Sequence, residues 1–344
     1  MTTGSVHPGT EDLQACARLM RSGSRSFATA SWLLPARVRI PATALYAFCR
    51  VADDLIDESQ DPRSAIEELS HRLDAVYAST PGPDLADRAL ACVVQGFRMP
   101  RLYLDALLEG FAWDVQGRSY ETIEDLHDYG ARVAGTVGAM MAVVMESRDA
   151  RTLARACELG VAMQLTNIAR DVGADARMGR LYLPAQWMRE AGLSPHEFLA
   201  NPQFSPALGA VVQRLLDEAQ RLYERAECGV ASLPRDCRAG IQAARLVYAE
   251  IGSALQTSGL NSVKQRAVVA RSRQLGLVVQ ALSALVVPPG RPMSALADDE
   301  PIHAVRFLVD GAGEASLPGR TFYQRTLRIL DMFERLEMRH RGLA

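Results

Sequence analysis

The chain has 344 residues, 48% of them hydrophobic and 23% charged, which is enough apolar material for a large buried core and excludes disorder for most of its length. Its formal net charge of −2 argues against nucleic acid as a partner, because the basic footprint of such proteins is missing. The six cysteines form no CxxC pair and the six histidines form no HExxH pair, which argues against a zinc site and favours reduced core thiols in a cytoplasmic protein.

Helical periodicity recurs along almost the whole chain, whereas hairpin signals are missing and only 6% of the residues are aromatic. This pattern predicts an all-α protein. Prolines such as Pro35, Pro41 and Pro234 are expected at helix boundaries. The predicted helices lie near residues 10–22, 25–33, 38–57, 61–79, 83–97, 100–117, 122–145, 149–173, 205–231, 235–257, 264–285 and 319–341.

A phosphate-binding element is predicted in the sequence GSRSFATASWLLP, at the start of the second helix. Ser24, Arg25 and Ser26 precede an apolar helical stretch there. Hydroxyls, a guanidinium and free amides at a helix start suit a phosphate. An ordinary helix cap explains the same residues, so this segment alone is a weak signal.

The helix predicted at residues 38–57 carries an acidic cluster in the sequence YAFCRVADDLID. Asp53 and Asp57 stand one turn apart, on a face that Arg50 and Tyr46 can share. A row of like charges is unfavourable unless a cation lies among them, and carboxylate oxygens are ligands that Mg²⁺ prefers. Arg50 can compensate the carboxylates or bind a phosphate through its bidentate guanidinium. A solvated acidic helix end is the alternative for this motif taken alone.

Small residues dominate the helix predicted at residues 122–145, in the sequence DYGARVAGTVGAMMAVVM. Tyr129, Val133, Ala134 and Gly138 all lie on it. Small side chains allow helices to pack closely, and they equally leave room for a long hydrocarbon chain beside the helix. The sequence leaves both interpretations open.

A second acidic cluster follows in the helix predicted at residues 149–173. Gln164, Asn167, Asp171 and Asp175 are spaced three, four and four residues apart, so they fit one face of an otherwise apolar helix. Such a polar face is costly to bury unless something polar binds there. Two acidic clusters facing each other would make a site for magnesium and a diphosphate. A buried hydrogen-bond network without a ligand is the alternative.

The apolar pattern runs evenly to residue 285, so we predict one large helical domain at residues 10–287 and a C-terminal extension at residues 288–344. The extension would comprise an irregular linker at residues 288–318 and an amphipathic, arginine-rich helix at residues 319–341. That helix could pack on the main domain or lie on an anionic bilayer.

Contact with a membrane is expected to be at most peripheral. The longest uncharged apolar stretches, residues 133–145 and 275–287, fall short of the roughly 20 residues that a membrane span needs. The N-terminal sequence MTTGSVHPGT lacks the basic and apolar regions of a signal peptide.

The segments YAFCRVADDLID, RVAGTVGAMM and QLTNIARDVGADARMGRLYLP together resemble the squalene/phytoene synthase family, and most of all its bacterial phytoene synthases. The resemblance covers roughly residues 14–285. It implies the all-α isoprenoid synthase type I fold with a central cavity, and head-to-head joining of two prenyl diphosphates with Mg²⁺, for which Mn²⁺ is an alternative. For a phytoene synthase it implies geranylgeranyl diphosphate as substrate, prephytoene diphosphate as intermediate and 15-cis-phytoene as product, early in carotenoid biosynthesis.

The resemblance also implies roles for individual residues. It implies metal ligands at Asp53, Asp57, Asn167, Asp171 and Asp175, and catalytic roles for these aspartates, Arg50 and Tyr248. It implies substrate contacts at Ser24, Arg25, Ser26, Tyr46, Tyr129, Val133, Ala134, Gly138, Gln164, Asn167 and Arg177. The segment GLNSVKQRAVVAR follows the family's basic pattern only loosely, so Lys264 and Arg266 receive no role.

Other functions remain as alternatives. A squalene or dehydrosqualene synthase would use the shorter farnesyl diphosphate, and squalene formation would also need NADPH; substrate length depends on cavity depth, which the sequence does not give. A non-catalytic assembly protein of the same fold would not need all four metal aspartates. A purely structural helical protein would not need the polar face.

Overall fold

The computed structural model describes residues 10–23, 29–287, 289 and 300–312. Within these residues the chain is helical and contains no strand, which confirms the predicted all-α class. The segment with Ser24, Arg25 and Ser26 and the helix predicted at residues 319–341 lie outside the described residues.

The helices follow one another with short connections. None of the described helices is long and apolar enough to cross a bilayer. The six cysteines form no disulfide, as predicted. In chain order the helices are α1 (Thr10–Gly23), α2 (Ala36–Asp57), α3 (Pro62–Tyr77), α4 (Leu85–Phe97), α5 (Arg101–Val115), α6 (Ile123–Gly130), a π-helix (Ala131–Gly135), α7 (Thr136–Val144), α8 (Ala150–Arg177), α9 (Ala185–Glu190), α10 (Pro195–Ala200), α11 (Pro206–Val230), α12 (Arg235–Thr257), α13 (Arg271–Ala281), two 3-10 turns (Leu282–Leu285 and His303–Val305) and α14 (Arg306–Gly311).

Polar side chains define where several helices begin. Asp149 caps α8 by accepting a hydrogen bond from the backbone N–H of Thr152 at 2.9 Å. Thr122 caps α6 in a reciprocal capping box with Asp125. Such caps satisfy amides that the first turn of a helix leaves unpaired, so they fix the starts of two helices that carry candidate site residues.

Helix α8 forms the centre of the fold, where it packs along α11 and also contacts α7, α12 and the π-helix. Glycines allow the closest approaches. A Cβ atom on Gly138 would lie 2.6 Å from the carbonyl carbon of Ala156, and one on Gly160 would lie 2.6 Å from that of Ala134. These backbones touch only because neither glycine has a side chain.

Three local predictions are wrong. The helix expected at residues 264–285 begins only at Arg271. Residues 265–270 form an irregular connection instead, and Arg266 in this connection pairs with Asp171 of α8. Pro41 lies inside α2 rather than at its boundary. The region expected to be irregular, residues 288–318, contains a 3-10 turn and α14 at residues 303–311.

Buried charged side chains anchor residues 300–312 to the main helices. These residues are called the C-terminal segment. Glu158 of α8 is fully buried and pairs with Arg155 at 3.0 Å and with Arg225 of α11 at 3.1 Å. It also accepts a hydrogen bond from the backbone N–H of Ile302 at 3.2 Å. Buried charges are tolerated where they are paired in this way, so the segment is anchored to α8 and α11.

Candidate active site

The first acidic cluster lies on the open face of α2. Asp53 and Asp57 are partly or fully exposed, while Phe48, Ala52 and Ile56 on the opposite face are buried. The helical period of 3.6 residues separates these two sets, so burial of the apolar set directs the carboxylates away from the core.

The second acidic cluster lies along α8 as predicted. Between residues 160 and 173 of this helix, most positions are buried. The partly exposed positions in and just after this stretch include Gln164, Asn167, Asp171 and Asp175, which therefore form a polar stripe in a helix that is otherwise surrounded by core. Such a stripe requires an open cleft beside the helix, because the other faces of α8 are packed.

Arg180 links the two clusters. It follows α8 by three residues, and its guanidinium contacts the carboxylate of Asp57 on α2 at 3.1 Å. Its charge partly offsets the rise in the pKa of Asp175. Burial lowers the pKa of Arg180, but Tyr182, Asp57 and Asp114 raise it further, so that it lies above its usual value. A small cleft beside the end of α8 is lined by Asp175, Arg180 and Tyr182. Arg180 therefore brings Asp57 of the first cluster and Asp175 of the second to one place.

Repulsion among the carboxylates is visible in their pKa values. Burial, followed by the charge of Asp57, raises the pKa of Asp53 to about 6. Burial, followed by the charge of Asp171, raises the pKa of Asp175 to about 7. The charge of Asp114 contributes to both raised pKa values, so Asp114 interacts electrostatically with both clusters. Groups of this kind are common at functional sites, because a cation is needed to hold them ionised together.

Arginines hold several of these carboxylates. Asp171 pairs with the adjacent Arg170 and also receives Nε and Nη2 of Arg266 at 2.8 and 3.0 Å. On α2, Arg50 contacts Asp54 with its Nε at 2.9 Å and lies 3.6 Å from Asp53. Arg266, which the sequence left without a role, therefore belongs to the site.

The donor set fits a hard divalent cation. Carboxylate oxygens from two helices, with raised pKa values, match the chemistry that Mg²⁺ prefers. Across the described part of the chain, no three His, Cys, Asp or Glu side chains converge closely enough to hold a metal ion. Asp57 and Asp171 are instead paired with Arg180 and Arg266.

Asp114 is a central residue that the sequence did not reveal. It ends α5 and accepts hydrogen bonds from the hydroxyls of Tyr182 at 2.7 Å and Tyr129 at 2.8 Å. The rings of Tyr129, Tyr182 and Tyr120 pack together with centroids 5.1 to 6.0 Å apart. A single carboxylate without a partner one turn away gives no periodic signal, so only the tertiary structure brings Asp114 to the site.

The residues expected to line a hydrocarbon site behave differently from one another. Val133 and Ala134, on the π-helix, are partly exposed. Val133 nevertheless packs over α5, because its Cγ1 would lie 2.6 Å from a Cβ added to Gly110. Gly138 faces the backbone of α8, so a larger residue there would separate two helices rather than crowd a ligand. Close helix packing therefore accounts for the glycine at this position, and a hydrocarbon contact at Gly138 stays a prediction.

Two further predicted residues contact other parts of the structure. Arg177 donates a hydrogen bond to the carbonyl of Val263 at 3.3 Å, so it contacts the connection after α12. Tyr248 is buried on α12 close to Tyr223, whose pKa is raised by burial and, to a smaller extent, by Tyr248. The hydroxyl of Tyr223 lies 3.0 Å from that of Thr166 on α8. Tyr46 lies on the open face of α2, and its hydroxyl approaches Gly23.

We expect the metal-free protein to lose stability as the pH rises from about 4 to 7. Asp53 and Asp175 bind protons more tightly in the folded than in the unfolded chain, so their stabilisation is complete below the unfolded pKa and is lost as the pH passes the folded values. The Asp175 contribution should be on the order of 1–2 kcal/mol after solvent screening. Urea unfolding in the presence of a chelator should show that the free energy of unfolding falls with pH, and Asp175→Asn should make this fall smaller. An unchanged pH dependence in the variant would contradict the assignment.

The sequence matches the squalene/phytoene synthase family over residues 20–274. It is 47% identical to a phytoene synthase of Rhodobacter capsulatus, over 97% of this chain and 98% of that protein. It is 48% identical to a phytoene synthase of Cereibacter sphaeroides, over 97% of this chain and 96% of that protein. Both alignments therefore extend through the region beyond residue 274.

Solved structures of similar fold come from the same group of enzymes. A dehydrosqualene synthase in complex with a ligand superposes with a TM-score of 0.73 and 32% identity, covering 80% of this chain and 96% of that one. A squalene synthase from Alicyclobacillus acidocaldarius superposes with a TM-score of 0.67 and 25% identity, covering 73% of this chain and 95% of that one.

Proposed function

Because the chain belongs to the squalene/phytoene synthase family, we propose that it is a 15-cis-phytoene synthase that joins two molecules of geranylgeranyl diphosphate head to head, through prephytoene diphosphate, and releases diphosphate. The observation that carries the proposal is the pair of acidic clusters on α2 and α8, which Arg180 links through its contact with Asp57 and its position beside Asp175. Near-complete alignment with phytoene synthases supports the choice of substrate.

The metal would be held by Asp53, Asp57, Asn167, Asp171 and Asp175. Mg²⁺, or Mn²⁺ in its place, supplies positive charge that favours departure of the diphosphate. The arginines now paired with these carboxylates, Arg180 and Arg266, are placed to exchange a carboxylate for a phosphate oxygen. Arg50 can act in the same way on α2. Ser24, Arg25 and Ser26, outside the described residues, are proposed to contact a second diphosphate.

The tyrosine cluster suits the carbocation that remains after diphosphate departs. Burial and the Asp114 charge raise the pKa of Tyr129 and of Tyr182 far above the ordinary value, so both hydroxyls stay protonated. A neutral aromatic ring attracts a cation without reacting with it. Asp114 fixes both rings through its hydrogen bonds, and packing around them keeps water away from the reactive carbon.

The direct test supplies the purified protein and Mg²⁺ with geranylgeranyl or farnesyl diphosphate. We expect release of diphosphate and formation of phytoene from the longer substrate, with a kcat/KM at least about tenfold higher than for the shorter one, which corresponds to about 1.4 kcal/mol. Products are extracted and identified by chromatography. A preference for farnesyl diphosphate would instead establish a dehydrosqualene or squalene synthase, and addition of NADPH would separate those two.

We also propose that the protein meets its lipid substrate at an anionic bilayer through α13 and the residues that follow it up to Val286. Leu275, Val279, Leu282 and Val286 recur every three or four residues, and between 41% and 85% of each is exposed to solvent. Basic residues of the same region, Arg271 among them, complement an anionic surface. The protein would then be cytoplasmic and peripheral to the membrane.

Co-sedimentation with vesicles tests this surface. The wild-type protein should bind anionic vesicles at low salt, and the double variant Leu275→Ser, Val279→Ser should bind at least about fivefold more weakly, since burial of each apolar side chain stabilises binding by about 1 kcal/mol or more. Because both positions are exposed, the thermal midpoint should not fall. Equal binding of the two proteins would contradict a role for α13 and would point to the arginine-rich sequence after residue 312.

A further inference from the structure

A continuous stack of rings and guanidinium groups runs from the C-terminal segment to the tyrosine cluster. The Cζ atom of Arg132 lies 5.2 Å from the ring centre of Phe307 and 4.2 Å from that of Trp113. The Cζ atom of Arg118 lies 3.7 Å from the ring centre of Trp113 and 5.9 Å from that of Tyr120. Tyr120 in turn packs against Tyr129 and Tyr182.

The stack is mostly buried, which strengthens its contacts. Trp113 and Tyr120 are 4% and 1% exposed. Arg118 is partly exposed, and burial lowers the pKa of its guanidinium between the rings of Trp113 and Tyr120. Cation–π contacts are stronger when they are desolvated. A displacement of the ring at one end of the stack should therefore change the positions of the rings at the other end.

Arg132 is the member that connects the stack to the π-helix. Its Nε contacts Glu109 of α5 at 3.1 Å, and its Nη1 donates to the carbonyl of Asp128 at 3.0 Å. The hydroxyl of Thr136 donates to the carbonyl of Arg132 at 2.6 Å. A π-helix is an uncommon interruption that is found often at functional sites, and here it begins two residues after Tyr129.

The C-terminal segment supports the same π-helix from a second direction. Leu308 is fully buried and its Cδ1 would lie 3.4 Å from a Cβ added to Gly135. The hydroxyl of Tyr103 on α5 donates to the carbonyl of Leu308 at 3.2 Å. With Glu158 anchoring its start, the segment is held in one position against α5, the π-helix and α8.

We propose that Phe307 is a positioning residue for the reaction, acting through Arg132, Trp113, Arg118 and Tyr120 on the tyrosines that Asp114 holds. The residue lies beyond the part of the chain that matches the family, which ends at residue 274. The inference rests on the proposed function, since it assigns the tyrosine cluster to the reacting site. Phe307 touches neither the acidic clusters nor Asp114, so its effect is on geometry alone.

The test compares Phe307→Ala with Phe307→Tyr, Phe307→Leu and a control, Val309→Ala, on the same helix. Val309 is also partly buried against the core but does not belong to the stack. We expect Phe307→Ala to lower kcat about tenfold with KM for geranylgeranyl diphosphate within about twofold of wild type. Phe307→Tyr should restore kcat because it restores the ring, and Phe307→Leu should not, although it restores most of the volume. Val309→Ala should leave kcat unchanged.

Two outcomes would overturn the inference. One is a Phe307→Leu variant with wild-type kcat, which would mean that volume alone matters. The other is a loss of kcat that follows the fall in thermal midpoint equally in Phe307→Ala and Val309→Ala. If Phe307→Ala does not fold, the comparison of kcat between Phe307→Tyr and Phe307→Leu still tests whether the aromatic ring is required. A wild-type protein that converts no prenyl diphosphate would contradict the proposed function instead, so the two failures are distinguishable.

Discussion

Asp53→Asn is expected to lower turnover by about 10³-fold or more while leaving the fold intact. Removal of one carboxylate takes away a proposed metal ligand, and loss of several kcal/mol of charge stabilisation in the transition state corresponds to a change of that size. The same substitution relieves repulsion from Asp57, so the thermal midpoint of the metal-free protein should stay the same or rise. Diphosphate release and thermal unfolding are the measurements.

Asp54→Asn is the matched control. Asp54 is the next residue on α2 but is held by Arg50 through two contacts, and it is not spaced four residues from Asp57. We expect it to retain turnover within about tenfold of wild type. If Asp53→Asn were as active as Asp54→Asn in Mg²⁺, the assignment of the first cluster to the metal would be wrong.

Gly138→Ala is expected to destabilise the protein by about 3 kcal/mol or more. The added methyl group would meet the backbone of Ala156, which belongs to the central helix α8 and has no freedom to rotate away as a side chain would. Relief requires α7 and α8 to separate, and buried contacts along both helices would be lost. Chemical unfolding monitored by circular dichroism gives the free energy change.

The control for this change is Gly276→Ala on α13, where an added Cβ meets no atom within 4 Å. That substitution should stabilise the protein by up to about 1 kcal/mol, because alanine favours a helix over glycine. Activity per folded molecule of Gly138→Ala should fall equally with geranylgeranyl and farnesyl diphosphate. A selective loss with the longer substrate, at unchanged stability, would return Gly138 to the hydrocarbon site.

Periodicity was sufficient to predict most of the helices and the two acidic faces. The spacing of Asp53 and Asp57 on α2, and of Asn167, Asp171 and Asp175 on α8, is a local property that a helix converts directly into a shared face. The same helical spacing predicted which positions on both helices are buried and which are open to solvent. These predictions needed no knowledge of how the helices pack.

Predictions failed where distant contacts decide the outcome. The connection at residues 265–270 carries helix-forming residues, but the pairing of Arg266 with Asp171 holds it in another shape. Small residues on α7 are compatible with a ligand or a helix neighbour, and the sequence could not show that the backbone of Ala156 lies against Gly138. Asp114 and Phe307 gave no pattern in the sequence, because their partners lie on other helices.

The pairing of arginines with acidic residues would make the proposed metal site and the proposed diphosphate site mutually dependent. A cation that takes the oxygens of Asp171 releases Arg266, and a diphosphate that takes Arg266 uncovers Asp171. The metal thus frees the arginine for the diphosphate, and the diphosphate frees the carboxylate for the metal. By linkage, the diphosphate must raise the affinity for the metal by the same factor as the metal raises the affinity for the diphosphate. Metal and diphosphate should therefore bind as heterotropic partners, and the protein should have little affinity for either one in isolation.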